Sequence, residues 1–305
     1  MQANMPTDAN SKSVYLMMIT ATFFWAGAFI AGKLGINDLS PTLLTFLRMG
    51  LAGLILFPVL IKKEPNSWKI TRVQVPVVIA TGVVGMIFYH MFFFSALQYT
   101  TASKASMINA TNPLLTALLA NWFIGERLNS KKVLFLITAL LSVINILIGG
   151  DLSTLASLTL NKGDLLMLCG TFSWALYSII VKKFIGGFGA LKLSAYTFVT
   201  SALIMSPFAI YDFLTSDALS VGVNPYLAVI YMAVFPTVFG YMIQQYAIGK
   251  IGASKTALFI NLVPILSTLM AVVFLGETIM AYHLVSITGI ILSVVGFNRS
   301  GTKVK

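Results

Sequence analysis

The sequence contains few charged residues. Asp, Glu, Lys and Arg together make up 10% of the 305 residues, whereas about 25% is usual for soluble domains. Apolar residues make up 58% of the chain, and the usual share is about 45–50%. This composition excludes an ordinary soluble domain and predicts a membrane protein.

The side chains that most catalytic and metal sites need are also scarce. Cys169 is the only cysteine and lies in an apolar segment, which excludes an internal disulfide and a cysteine-rich metal motif. His90 and His283 are the only histidines and lie far apart, and no Asp or Glu stands clearly in the middle of an apolar segment. Metal-assisted hydrolysis and nucleophilic catalysis need clusters of such groups. The sequence therefore predicts neither an enzyme nor a bound cofactor or metal.

The formal net charge of +11 does not indicate a nucleic-acid-binding protein. Recognition of nucleic acid needs a basic face, or a groove that combines basic and aromatic residues. The lysines and arginines of this chain are instead dispersed between apolar segments, where they set membrane topology and contact anionic lipid. The predicted partner is a lipid bilayer, and no nucleic acid is expected.

Ten apolar segments are long enough, or nearly so, to cross a bilayer, which takes about 20 helical residues. They cover approximately residues 14–35, 41–61, 74–96, 101–123, 131–149, 163–184, 190–214, 226–248, 254–275 and 281–298. The chain is therefore predicted to be an all-α polytopic membrane protein with ten transmembrane helices. Residues 1–13 and 299–305 are short polar tails on either side of the spans.

The two halves of the sequence repeat the same landmarks. Lys104 and Lys255, each in an Ala-Ser-Lys motif, are 151 residues apart, and the same spacing separates Pro113 from Pro264 and Gly125-Glu126 from Gly276-Glu277. A spacing of about half the chain indicates duplication of a domain-sized unit, and short solenoid repeats are excluded. The predicted units are five-helix repeats at 14–149 and 163–298, joined by a linker at 150–162.

The basic residues predict the orientation of the spans. If the N-terminus is cytoplasmic, sixteen of the lysines and arginines fall in cytoplasmic segments and three on the opposite side, as the positive-inside rule requires. Both termini are therefore predicted to be cytoplasmic. Because each unit has an odd number of spans, the two repeats have inverted topology. Inverted repeats are a recurring transporter architecture, with the substrate site at the repeat interface.

Several motifs resemble those of EamA domains in the drug/metabolite transporter superfamily. Ala105 to Leu128, which includes Pro113 and Gly125-Glu126, resembles the C-terminal part of such a domain, and Thr256 to Phe297 resembles it again. Phe24-Trp25 and Phe46-Leu47-Arg48 resemble the first two helices, and Ser173-Trp174 resembles the start of a second copy. The resemblance covers nearly the whole chain. It implies a ten-helix exporter or exchanger of small metabolites, often amino acids, in a bacterial inner membrane.

Two lysines are candidates for binding an anionic substrate. Lys104 and Lys255 begin the fourth and ninth predicted spans, where their charge adds to the positive end of a helix dipole. For Lys255, an ordinary cytoplasmic charge is an equally good interpretation.

Aromatic and polar residues within the spans are further candidates. Those predicted to line a substrate cavity are Trp25, Tyr89, His90, Asn109, Asn112, Trp174, Tyr177, Tyr241, Gln244, Gln245 and Asn261. The alternative is that the aromatic rings pack between helices and that the polar groups form interhelical hydrogen bonds. Pro113 and Pro264 are predicted hinges because proline interrupts helical hydrogen bonding.

Arg48 lies within the second predicted span, where a charge costs about 2.5–3.5 kcal/mol on insertion scales. We predict that it reaches the outer interface or binds backbone carbonyls within the bundle. Its repeat-related position holds Thr197, so it has no symmetric partner.

Together these features predict a secondary transporter of a small-molecule substrate, with amino acids or related compounds as the first candidates, that works by alternating access around a central cavity. Coupling to protons or to a counter-substrate is left open, as is the oligomeric state. The alternative is a channel or an assembly subunit, although neither a carbonyl filter motif nor a ring of identical segments is visible.

Overall fold

The computed structural model describes residues 8–125, 128–151, 153, 161–184, 187–251 and 259–300, and these contain helices but no strands. The α-helices are α1 (Asp8–Gly35), α2 (Pro41–Lys63), α3 (Val75–Thr81), α4 (Tyr89–Tyr99), α5 (Ala102–Asn109), α6 (Asn112–Ile124), α7 (Ser130–Leu147), α8 (Lys162–Phe184), α9 (Ala190–Thr215), α10 (Asn224–Met232), α11 (Gly240–Ile251), α12 (Val263–Leu275) and α13 (Ala281–Arg299). Two π-helical segments, π1 (Gly82–Phe88) and π2 (Ala233–Phe239), join α3 to α4 and α10 to α11.

The helices are those of a multi-pass membrane protein. Within the described residues, seven helical stretches are long and apolar enough to cross a membrane, and two further apolar helices are shorter. Apolar side chains on the outside of the bundle are strongly exposed, among them Leu54 at 74% and Leu214 at 76%, as expected for surfaces that face lipid. The fourth predicted span forms two short helices, α5 and α6. The total of ten spans remains a prediction.

Local signals in the sequence fix where several helices begin and end. Ser40 Oγ accepts a hydrogen bond from the Leu43 amide at the start of α2, and Thr101 Oγ1 accepts one from the Lys104 amide at the start of α5. Gly125 and Gly276 end α6 and α12 with left-handed φ angles of 74° and 66°, which glycine adopts without strain. These two glycines are repeat-related, so both copies end the helix in the same way.

The π-helical segments also follow the internal repeat. π1 begins at Gly82 and π2 at Ala233, 151 residues later, and each is seven residues long. No pattern in the sequence predicts these two π-helical segments. π-Turns inside α-helices are frequent at functional sites. Here π1 is followed directly by Tyr89, and π2 ends two residues before Tyr241, and both tyrosines are predicted site residues.

The two copies are interlocked. The first helix of each copy packs against the third and fourth helical stretches of the other: α1 contacts α10, π2, α11 and α12, and α8 contacts π1, α4, α5 and α6. Between these groups α2 packs against α9, and α7 packs against α13. The main buried apolar cluster accordingly draws Phe29 and Phe94 from one copy and Met232 and Ala271 from the other. The interface between the copies is therefore the core of the molecule.

The contact between the start of α8 and the end of α4 requires glycine at position 163. A Cβ atom there would lie 2.6 Å from the Ala96 carbonyl oxygen and 2.7 Å from the Thr100 amide nitrogen, and backbone atoms cannot move aside as side chains do. We expect Gly163→Ala to destabilise the protein by about 1–3 kcal/mol, measured as a lower thermal-unfolding midpoint in detergent. Gly50→Ala is the matched control, because its Cβ would meet only Ala202 Cβ at 3.9 Å. Equal midpoints for the two variants would contradict the prediction.

Candidate functional site

A cavity of about 190 Å³ lies between the two copies. Its lining combines residues from α1, α2, α4, α5 and α6 of the first copy with residues from α8, π2, α11 and α12 of the second. These are Trp25, Ala28, Phe29, Arg48, Tyr89, His90, Phe93, Ser106, Asn109, Ala110, Asn112, Pro113, Trp174, Pro236, Tyr241, Gln244, Ile260, Asn261, Val263 and Pro264. The cavity is thus built jointly by the duplicated halves.

Breaks in two repeat-related helices flank the cavity. Residues 110–111 form a turn between α5 and α6, and residues 261–262 form a turn before α12. The proline that follows each turn, Pro113 or Pro264, lies at the start of the new helix, where its missing N–H is tolerated. Asn112 Nδ2 donates to the Thr171 carbonyl at 3.1 Å, which holds the start of α6 against α8. A hinge function of the two prolines remains a prediction.

Aromatic side chains form much of one wall. The Trp174 ring lies 4.8 Å from Tyr89 and 6.4 Å from Tyr241, measured between ring centroids. On another side, Trp25 Nε1 donates a 2.9 Å hydrogen bond to the Pro236 carbonyl in π2. Trp25 therefore joins α1 of one copy to π2 of the other, and its N–H is satisfied by protein.

The remaining polar residues of the lining differ in how fully they are hydrogen-bonded. His90 Nδ1 lies 2.8 Å from the Met86 carbonyl, so we assign the Nδ1 proton to this hydrogen bond. Asn261 is 8% exposed, and its Nδ2 has no partner within the described residues. Asn109 Oδ1 likewise lacks a partner of good geometry, although the Tyr89 hydroxyl lies beside Asn109. The two asparagines occupy nearly equivalent positions in the two copies, at the two helix breaks.

Arg48 also lines the cavity, and sequence reasoning did not place it there. Its side chain is 7% exposed, and its Nε donates to Thr237 Oγ1 at 3.1 Å. We predicted that Arg48 reaches the outer interface or binds backbone carbonyls. Its guanidinium instead donates a hydrogen bond to a side chain of the other copy. The signal in the sequence was the charge within a span, since such residues usually face a bundle interior or a wet cavity.

Four predicted site residues are not part of this lining as the structure describes it. Tyr177 packs against Trp174 with ring centroids 5.0 Å apart, behind the wall. Lys104 lies at the start of α5, 3.7 Å from Asp164. Lys255 lies outside the described residues, and the side chain of Gln245 is not described. A substrate-binding role for all four remains a prediction.

Lys104 belongs to a second polar group, which no sequence pattern predicts and which we call the α5 cluster: Lys33, Thr100, Lys104, Asp164 and Glu277. Asp164 is fully buried, accepts a hydrogen bond from the Thr100 hydroxyl and pairs with Lys104. Glu277 accepts hydrogen bonds from two backbone amides and one hydroxyl at the start of α5. Lys33 Nζ donates to the Thr100 carbonyl at 2.8 Å. The cluster ties both copies together at one end of the bundle.

Comparison with known families gives the same duplicated layout. The model of the EamA-like transporter family matches the chain twice, over residues 12–148 and 161–299. The chain belongs to the EamA-like transporter family. The predicted resemblance to EamA domains is thereby confirmed, and the membership identifies a membrane transporter family in which nothing points to catalysis.

Several EamA-like relatives align over nearly their full length. "Uncharacterized transporter YyaM" of Bacillus subtilis is 28% identical, with 92% of each chain covered. An "Uncharacterized transporter" of Archaeoglobus fulgidus is 30% identical over 88% of this chain and 91% of its own. A "Probable amino-acid metabolite efflux pump" of Salmonella typhimurium is 25% identical over 94% of this chain and 96% of its own.

A solved crystal structure has the same fold. It superposes with a TM-score of 0.66 at 20% sequence identity, covering 96% of this chain and 99% of that one. The fold of this EamA-like chain is therefore one already observed by crystallography.

Proposed function

We propose that the protein is a secondary carrier that exports or exchanges small metabolites, with amino acids as the first candidates. It works by alternating access, in which two inverted repeats exchange conformations around the cavity between them. The observation that carries the proposal is that both copies line one polar-aromatic cavity. Repeat-related helix breaks at its edge supply the local freedom that such an exchange needs.

The size of the cavity supports a small substrate. Drug-sized ligands occupy sites of about 300–1,000 Å³, and the cavity here is about 190 Å³. Amino acids are suggested by the name of the Salmonella relative, a probable amino-acid metabolite efflux pump. They also suit a lining that offers amide, hydroxyl and guanidinium groups beside aromatic rings.

The proposal includes a bacterial inner-membrane location, with both termini in the cytoplasm. The bacterial relatives and the distribution of basic residues support it. Exchange against a counter-substrate and coupling to protons are both compatible with the lining. We favour exchange, because among the described lining residues His90 alone has an ordinary pKa near neutrality, and its Nδ1 is already held by the Met86 carbonyl.

Flux into proteoliposomes tests the carrier mechanism. Purified protein is reconstituted, and uptake of labelled amino acids is measured with and without the same unlabelled amino acid inside. We expect uptake to saturate with concentration and to be stimulated from the opposite side, because a carrier reorients faster when loaded. Protein-free liposomes and the exposed-site variant Arg72→Gln serve as controls.

Two other results would contradict the proposal. Flux that rises linearly with concentration and shows no stimulation from the opposite side would indicate a channel. Absence of flux across amino acids, nucleosides and cationic drugs, from protein that remains folded, would favour an assembly subunit.

A further inference from the structure

Among the described residues, the lining of the cavity carries one permanent positive charge and no negative charge to balance it. Arg48 is the only Lys, Arg, Asp or Glu among the lining residues that the structure describes. No described carboxylate lies within 4.0 Å of its nitrogens, since the one ion pair found among the described residues joins Lys104 to Asp164. An ion enclosed in a low-dielectric interior is costly unless it is paired. The site therefore has an unfilled requirement for an anion.

The contacts of Arg48 orient the guanidinium and leave donors free. Nε donates to Thr237 Oγ1 at 3.1 Å, and that hydroxyl donates in turn to the carbonyl of Met232, the last residue of α10, five residues earlier. Among the described residues, the one hydrogen-bond partner of Nη1 is the Met232 sulfur, at 4.0 Å, and a thioether is a weak acceptor. A guanidinium has five N–H donors in a planar fork that matches a carboxylate. One edge is therefore held by protein, while other donors remain for a ligand.

A second group in the cavity also lacks a partner. Among the described residues, Asn261 Nδ2 is a buried donor without an acceptor, and Asn261 is the first residue of the turn before α12. The N-terminus of α12 adds the positive end of a helix dipole next to it. Asn109 Oδ1 supplies an acceptor at the other helix break. The polar groups of the cavity thus offer mostly donors for an anion, with one acceptor beside the aromatic wall.

We propose that Arg48 binds the carboxylate of the transported substrate, and that the site therefore takes small monocarboxylates, neutral amino acids included, and excludes substrates with a net positive charge. The inference rests on the proposed carrier function and deepens it. Among the described lining residues, a second carboxylate would find no second cation, and a basic side chain would find no carboxylate. The ammonium group of a neutral amino acid finds Asn109 Oδ1 and the faces of Tyr89 and Trp174.

Binding to the wild-type protein provides the first test and requires no transport. The thermal-unfolding midpoint in detergent is measured with leucine, with leucinamide, with lysine and with 4-methylpentanoate, the deaminated acid of leucine. Leucine and the deaminated acid are expected to raise the midpoint, because a ligand that binds the folded state stabilises it. Leucinamide and lysine are expected not to. Equal stabilisation by leucinamide and leucine would overturn the proposal.

Substitution of Arg48 provides the second test. In proteoliposomes, unlabelled leucine competes with labelled leucine, and we expect Arg48→Gln to weaken this competition by about 100-fold or more, because the charge-assisted hydrogen bonds of the guanidinium to the carboxylate are lost. Arg48→Lys keeps the charge and loses the fork, so its loss is expected to be smaller, about tenfold. Arg72→Gln, at an exposed position, is the matched control. An Arg48→Gln protein with wild-type competition would overturn the proposal.

The two proposals fail in different ways. Saturable exchange that accepts lysine or leucinamide as well as leucine would support the carrier function and contradict the proposed role of Arg48. Stabilisation by carboxylates alone, without flux of any substrate, would support the Arg48 site and contradict the carrier function. If Arg48→Gln does not fold, Arg48→Lys and the wild-type binding series still decide, because neither depends on the glutamine variant.

Discussion

Replacing Glu277 with glutamine is expected to destabilise the protein by at least about 2 kcal/mol, because it weakens charge-assisted hydrogen bonds worth about 1.5–3 kcal/mol each. The carboxylate accepts bonds from the Ala102 amide at 2.7 Å, the Ser103 amide at 3.1 Å and the Ser103 hydroxyl at 2.6 Å. A glutamine side chain has one carbonyl oxygen, and its NH₂ group would face donors. The negative charge that favours the positive end of α5 is also lost.

The local sequence explains why Glu277 reaches α5. Gly276 adopts a left-handed φ of 66° and ends α12, and the Glu277 amide then donates to the Ala271 carbonyl at 3.2 Å. This arrangement fixes the backbone at Glu277 and directs its side chain toward the first turn of a helix in the other copy. The Gly-Glu pair is thus one structural unit, in which the glycine ends one helix and the glutamate caps another.

The measurement is the thermal-unfolding midpoint of purified protein in detergent, followed by intrinsic fluorescence. Glu64→Gln is the matched control, since Glu64 makes only a 3.3 Å side-chain contact with Ser67 in an exposed loop. We expect the unfolding midpoint of Glu277→Gln to lie well below that of the wild type, and the midpoint of Glu64→Gln to equal that of the wild type. Coincident curves for all three proteins would show that the cap adds little stability.

Much of the architecture could be predicted because it depends on local composition and on the repeat. Long apolar stretches predict spans since a helix is the simplest way to satisfy backbone groups in lipid. Pro113 and Pro264 correctly marked interruptions, because the proline ring has no N–H to continue the helix. Asn109 and Asn261, which lie near these prolines, are candidate cavity residues because each stands on a polar face of its predicted span.

The features that the sequence does not predict depend on which face of each helix packs against which neighbouring helix. The apolar residues around Arg48 indicate a span but not the direction of the arginine, which follows from packing of α2 against α9 and π2. Asp164 follows a polar linker and resembles an interfacial residue, yet it is fully buried beside Thr100 and Lys104. The π-helical segments depend on such packing too, since residues 82–88 carry no local signal that distinguishes π from α.

Replacing Lys104 with methionine is expected to be more destabilising than replacing its partner. It leaves the Asp164 carboxylate buried without a cation, and breaking a buried pair in this way typically costs about 3–5 kcal/mol. Asp164→Asn is milder, because Lys104 is 19% exposed and can be hydrated, and because the amide still accepts the hydrogen bond from Thr100. The double variant Lys104→Met/Asp164→Asn removes both charges and is expected to recover most of the loss.

A double-mutant cycle measures the coupling between the two residues, with thermal unfolding in detergent as the readout. Lys131→Met, at an exposed position, controls for the general effect of removing a lysine. Additive effects of the two substitutions would show that the 3.7 Å pair contributes no coupling.

Leucine exchange by the same variants separates the two roles assigned to Lys104. If Lys104 holds the α5 cluster together, the double variant regains flux along with stability. If Lys104 binds substrate, as its place at a helix start predicts, the double variant folds but stays inactive. We expect flux to return, since the anion requirement of the cavity lies with Arg48 and the charge of Lys104 is already matched by Asp164.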